Sequence, residues 1–209
     1  IMTAAMATSA REANYMLMYA NNEMDLKVYP LSRARWEDFE LLFGKRGACG
    51  GCWCMLWRVE KAEFESGKGE PNKRSMKSIV DAGEPAGVLA YVDGKAIGWC
   101  AVAPREAYRR LAKSKSLQKV DDQPVWSITC LFIDKPHRRQ GLSSELIREA
   151  VEFARANQAH IVEAYPSTPY SDHVPDAFLW TGLPAVYEKI GFKEVLRRTK
   201  KKPIMRLYL

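Results

Sequence analysis

Nothing in this chain approaches the roughly 20 consecutive apolar residues that a membrane-spanning helix requires. The longest apolar runs, such as residues 96–103, stop far short of it. The first residues do not join a basic start to a continuous apolar stretch, so a secretory leader is not expected. Cysteine is sparse and odd in number, five in 209 residues, with three crowded into one segment. That usage fits a reducing, cytoplasmic setting better than a disulfide-stapled secreted domain. Neither a Gly-x-x-x-x-Gly-Lys-Ser/Thr phosphate loop nor a Gly-x-Gly-x-x-Gly dinucleotide fingerprint is present. What remains is a globular composition, 47% hydrophobic and 27% charged, in a chain long enough for one sizeable core. The net charge of +7 allows acidic partners without demanding nucleic acid.

The organising stretch is residues 124–153, PVWSITCLFIDKPHRRQGLSSELIREAVEF. Residues 125–133 are rich in Val, Ile, Thr, Trp and Phe and too short for a helix, so they read as a buried strand. Asp134, Lys135 and Pro136 break it, and a basic turn with Gly141 leads to Ser143 and Ser144, which open an amphipathic helix. Leu146, Ile147, Ala150, Val151 and Ala154 give that helix one apolar face. The first amides of a helix have no internal partners and carry partial positive charge, so a strand-turn-helix of this kind is suited to holding an anion. The plain alternative is an ordinary β-turn-α unit.

The run Arg138-Arg139-Gln140-Gly141-Leu142-Ser143 resembles the Arg/Gln-x-x-Gly-x-Gly/Ala signature of the GNAT acetyltransferases, with Ser143 where glycine or alanine is usual. Downstream, LPAVYEKIGF at residues 183–192 is similar to the family's late helix and its Tyr-x-x-x-Gly-Phe ending. The resemblance extends over residues 24–209 and implies a single acetyltransferase domain, with residues 1–23 as an N-terminal extension. That extension reads as mobile or helical, or as material upstream of a natural start at Met24; a lid or dimer arm is the other reading.

The implied fold is a mixed, mostly antiparallel sheet of about six to seven strands flanked by helices and splayed at the CoA-binding strand. The implied co-substrate is acetyl-CoA. Its seat would be formed by Leu131, Phe132 and Ile133 with Arg138, Arg139, Gln140, Gly141, Leu142, Ser143 and Ser144. Tyr187 matches the family tyrosine that protonates the departing thiolate, although a core tyrosine on an apolar helix face would look the same.

The other elements follow in order. Residues 25–30 alternate as a strand, and Ser32 caps a helix through Phe43. Residues 47–57, GACGGCWCMLW, hold Cys49, Cys52 and Cys54. Three thiols could begin a zinc or iron–sulfur site, but such sites need a fourth ligand, and His160 and His173 are distant in sequence; no metal is expected. By the resemblance this loop lines the acceptor site, with Trp53 and Trp57 as its walls. Residues 61–73 read as a polar surface loop, with Asn72 capping a helix over 73–82. Residues 86–91 and 95–103 form a hairpin through Asp93-Gly94. Residues 105–119 are basic: either a solvated helix face or, through Arg109, Arg110, Lys113 and Lys115, a contact for the 3′-phosphate of CoA. Residues 160–165 form a strand leading into a proline-punctuated loop, where Tyr165, Tyr170, Asp172, His173 and Trp180 are pocket candidates.

The reaction implied is direct attack of a primary amine on the thioester in a ternary complex, helped by positioning and by a main-chain amide near residues 131–133. Residues 125–133 contain no carboxylate, so the base falls to Glu163, Asp172, His173 or a water relay. A ping-pong route through Cys130 or Cys54 is the rival chemistry. A rival of another class is a non-catalytic module on the same fold that senses acyl-CoA or binds RNA through the basic stretches at 105 and 197. A homodimer is left open.

Overall fold

The β-branched and alternating stretches assemble into one seven-stranded sheet in a computed structural model that describes residues 25–169 and 179–209. The strands are β1 (Lys27–Pro30), β2 (Val88–Val92), β3 (Lys95–Pro104), β4 (Trp126–Ile133), β5 (Ile161–Ala164), β6 (Lys193–Thr199) and β7 (Lys202–Tyr208). They lie in the order β1-β2-β3-β4-β5-β7-β6, and every neighbouring pair is antiparallel except β4 and β5. Asp93 and Gly94, at φ 50 and 75, turn β2 into β3 as the Asp-Gly pair demands.

The parallel pair is short. Trp126, Ser127 and Ile128 face Val162, Glu163 and Ala164, and β4 then runs on to Ile133 without its parallel partner. β3 pairs along the whole of that extension, so β4 stays in the sheet while its other edge opens into a splay.

Helices cover both faces. Helix α1 (Trp36–Phe43), α2 (Lys61–Ser66) and α3 (Glu70–Asp81) belong to one layer, where Phe39, Trp53 and Met76 pack on Leu89, Tyr91, Trp99 and Ala101. After the short α4 (Arg109–Lys113), helix α5 (Leu142–Ala156) crosses the other face. Its Leu146, Ile147, Ala150 and Val151 meet Val88, Ala90, Cys100 and Val102, the alternate residues of the same strands. Helix α6 (Pro184–Glu188) precedes β6.

The structure corrects the reading of residues 61–73. Most of them are helical, with only a turn at residues 67–69 between α2 and the first turn of α3, because each helix buries a narrow apolar side: Phe64 in α2, Met76 and Val80 in α3. Asn72 is not a cap. It lies buried inside α3, where its Nδ2 donates to the Gly51 carbonyl at 3.2 Å and ties the cysteine-bearing loop to the helix. Ser32 likewise makes no side-chain cap bond; a short 3-10 turn at Arg33–Arg35 precedes α1.

Candidate active site

The turn after β4 is built by its own side chains. Arg138 Nε donates to the Ile133 carbonyl at 2.8 Å and Gln140 Nε2 to Pro136 at 3.0 Å, while Asp134 N–H reaches back to Ile97 at 2.9 Å. Arg139 and Gly141 both take left-handed backbone, φ 62 and 81, and Gly141 stands immediately before α5. A Cβ built on Gly141 would meet nothing within 4 Å, so the turn presents open space in front of the first amides of the helix. All the residues expected to hold a pyrophosphate, Arg138 to Ser144, are therefore brought together on one turn.

Leu131, Phe132 and Ile133, expected to seat the thioester, lie on the part of β4 beyond its pairing with β5. The Leu131 N–H donates to the Trp180 carbonyl at 2.6 Å, and across the splay Ser167 N–H donates to the Gly182 carbonyl at 2.9 Å. Residues 180–182 thus bridge β4 and the chain leaving β5. Gly182 is required there: at φ +77 a Cβ would come within 2.8 Å of the Tyr187 ring and 3.1 Å of Leu131.

Tyr187 is fully buried in α6 and its hydroxyl donates to the Thr181 carbonyl at 3.2 Å. Burial above all, with Cys100 and Cys130 nearby, holds its phenol well above the ordinary range, so it is protonated at neutral pH. Lys202, at the start of β7, reaches the same segment: its Nζ lies 2.7 Å from Ser167 Oγ and 3.0 Å from Thr181 Oγ1.

Glu163 is 1% exposed and fully engaged. Its Oε1 accepts from Arg105 Nη1 at 2.9 Å and from the Tyr165 hydroxyl at 2.7 Å, and its Oε2 accepts from Arg206 Nε at 2.9 Å. Tyr165 is buried in the same group and also meets Ser127 Oγ at 2.8 Å, so it is an anchor of the network. Arg105 and Arg206 were missed as site-shaping residues. The signal was a charge inside each of two largely apolar stretches, Glu163 in β5 and Arg206 in β7, which pair in register.

Trp53 and Trp57 face different spaces. Trp53 stacks on Phe43, with centroids 5.6 Å apart, and walls a cavity of about 630 Å³ together with Glu37, Glu40 and Lys73. Trp57 packs against Trp180 at 6.3 Å, beside the splay, and lines a cavity of about 360 Å³ with Lys61, Arg110 and Lys113. Lys113 and Arg109 reach Glu60, so the basic stretch is at least partly matched by acids. Tyr170, Asp172 and His173 lie outside the described residues.

The cysteines divide by depth. Cys49 is exposed, whereas Cys54 is buried and accepts from Trp99 Nε1 at 2.9 Å. Burial opposes ionisation of Cys54, but donation from Cys130 and Trp99 and the charge of Arg58 outweigh it and hold the thiol below the ordinary range. Cys130, the donor in that contact, is pushed well up, as is Cys52 to about 12, there chiefly by burial. Among the described residues no group of three or more His, Cys, Asp or Glu is placed to hold a metal ion.

Residues 53–174, more than half of the chain, match the acetyltransferase (GNAT) family. The chain belongs to the GNAT acetyltransferase family. No curated protein matches it. Solved structures with the same fold include the PaiA N-acetyltransferase of Thermoplasma acidophilum in complex with coenzyme A, 14% identical with a TM-score of 0.50, over 89% of this chain and 100% of that one. A GNAT acetyltransferase of Streptococcus pneumoniae is 14% identical with a TM-score of 0.51, over 88% and 99%. A ribosomal-protein-alanine N-acetyltransferase of Brucella melitensis is 14% identical with a TM-score of 0.50, over 88% and 99%. The fold is thus shared, while identities this low leave the acceptor to this chain's own residues.

Proposed function

We propose that this GNAT protein is an acetyl-CoA-dependent N-acetyltransferase that moves the acetyl group to a primary amine by direct attack in a ternary complex. The observation that carries the reading is the left-handed Arg139–Gly141 turn at the end of the very strand that parts from its parallel neighbour. The turn suits a pyrophosphate and the splay beside Leu131 suits the thioester arm, both on one strand. On this reading the arm replaces Trp180 at the Leu131 amide, which then polarises the thioester oxygen. Tyr187, protonated and bonded to Thr181, the residue next to Trp180, supplies the proton to the thiolate. Both oxygens of Glu163 are already held, so proton removal from the acceptor falls to Asp172, His173 or water rather than to Glu163. Trp57 and Trp180 form the aromatic wall for the acceptor.

The test is heat unfolding with and without saturating acetyl-CoA. At a hundredfold excess over the dissociation constant, linkage adds about 2.7 kcal/mol. Gly141→Ala costs about 1 kcal/mol for its left-handed backbone yet keeps the response, whereas Gly141→Asp fills the open space with charge and loses it. Absence of a shift in the parent protein refutes the cofactor reading.

A further inference from the structure

Lys202 is held by neutral groups. Its Nζ hydrogen-bonds to two hydroxyls, Ser167 Oγ at 2.7 Å and Thr181 Oγ1 at 3.0 Å, and lies 5.8 Å from the centroid of the Trp180 ring. Among the described residues, none of these three contacts is a carboxylate. Two of these three neighbours, Thr181 and Trp180, carry the rest of the site. Trp180 lends its carbonyl to the Leu131 amide, and Thr181 lends its carbonyl to the Tyr187 hydroxyl. An amine, an amide donor and a phenol therefore converge on two adjoining residues at the mouth of the splay.

We propose that Lys202 is an internal acetyl acceptor, modified by acetyl-CoA bound to the same chain. The inference rests on the acetyl-CoA reading above. The Nζ lone pair forms a bond to the thioester carbonyl carbon, and the resulting oxyanion faces the amide of Leu131. Collapse breaks the C–S bond, and the thiolate leaves with a proton from Tyr187. The attacking nitrogen sheds one proton, which restores Tyr187, so the products are an amide and free thiol. Partial burial aids the first step by pushing the Lys202 ammonium down to about 8, which leaves an appreciable neutral fraction near neutral pH. Acetylation removes the charge from the face of Trp180 and cuts the donors of Nζ from three to one. At least one of the two hydroxyl bonds is then lost, and the bridge of residues 180–182 across the splay loosens.

The full chain is incubated with acetyl-CoA at about pH 8, and acetylation is followed by intact mass and peptide mapping at two protein concentrations, beside the Lys202→Arg, Gly141→Asp and Tyr187→Phe variants. The folding of each is checked by heat unfolding. The expected result is one acetyl group on Lys202, formed at a rate per molecule independent of protein concentration, at least tenfold slower in Tyr187→Phe and at chemical background in Gly141→Asp. Acetyl groups spread equally over surface lysines in all variants overturn the proposal. So does an unmodified Lys202 in a protein that acetyl-CoA stabilises, a result that leaves the cofactor reading standing. If such a protein transfers acetyl to an added amine and Lys202→Arg loses that transfer, Lys202 is a proton acceptor instead. No stabilisation by acetyl-CoA overturns both readings together.

Discussion

Replacing Glu163 separates a structural carboxylate from a catalytic one. The residue is 1% exposed and holds Arg105 and Arg206, each at 2.9 Å, and accepts from Tyr165 at 2.7 Å. Removing one partner of a buried ion pair leaves an uncompensated charge and costs about 3–5 kcal/mol. Glu163→Ala strands two guanidinium groups, but neither is left bare: Arg105 keeps the Leu117 carbonyl, and Arg206 keeps Asp121 at 2.6 and 3.0 Å. The lower half of that range is therefore expected, with a fall in Tm of roughly 6–16 °C for a chain of this size. Glu163→Gln keeps the volume and one acceptor oxygen. It loses charge-assisted bonds worth about 1.5–3 kcal/mol.

Urea unfolding of the three proteins, with acetyl transfer measured per folded molecule, reads both sides of the argument. The expected outcome is a graded loss of stability, Ala greater than Gln, with turnover by the folded Gln variant within a few-fold of the parent. The loss arises because Ser127, Glu163 and Arg206 tie β4, β5 and β7 at the parallel pair from which the splay opens. A stability loss under about 1 kcal/mol for Glu163→Ala refutes the ion-pair account. A stable Glu163→Gln with turnover down about a hundredfold makes the carboxylate the base after all.

Tyr187→Phe deletes the bond to the Thr181 carbonyl and is expected to cost about 1 kcal/mol of stability while turnover falls about 10²–10⁴-fold and stabilisation by acetyl-CoA persists; unchanged turnover refutes the acid role. Asp121 is held down to about 2 from 3.8, chiefly by its hydrogen bonds from Arg206, so its contribution is complete above pH 3.8 and is lost as pH falls through about 2. Asp121→Asn is expected to lower the urea midpoint at neutral pH and to match the parent at the acid end; an equal deficit at both refutes the linkage. Titration with Ellman's reagent is expected to show one fast thiol, Cys49, since Cys54 and Cys100 are buried and burial chiefly drives the Cys52 thiol up to about 12. A fast phase that survives Cys49→Ser refutes that ranking.

The parts of the site that read directly from the sequence are those whose residues are contiguous. The strand, the basic turn and the amphipathic helix lie within residues 126–156, and each announces itself by local pattern: β-branched residues, a glycine where φ is 81, an apolar stripe at helical spacing. The hairpin through Asp93-Gly94 was legible for the same reason. Helices α2 and α3 were not, because polar residues dominate their composition and only Phe64, Met76 and Val80 mark the buried side. The same local eye mistook Asn72 for a cap, when its partner, Gly51, lies 21 residues away in the chain.

The polar anchors of the site defeat local reading in a stricter sense. Arg105 meets Glu163 across 58 residues, Glu163 meets Arg206 across 43, and Arg206 meets Asp121 across 85. A buried charge is costly unless paired, so Arg105, Glu163 and Arg206, taken singly, mark only that a partner must exist. Register supplies the partner: β5 and β7 run antiparallel with Glu163 opposite Arg206, and β4 and β5 run parallel with Ser127 opposite Glu163. Lys202 follows the same logic at the rim. Its place at the start of β7, hairpinned to β6 through the turn after Thr199, sets its amine against Thr181 and Trp180, and no pattern within residues 197–202 distinguishes it from the lysines beside it. What makes it chemically distinct is the neighbour that the sheet order brings, two hydroxyls and an indole in place of a carboxylate, and that neighbour comes from the far side of β5.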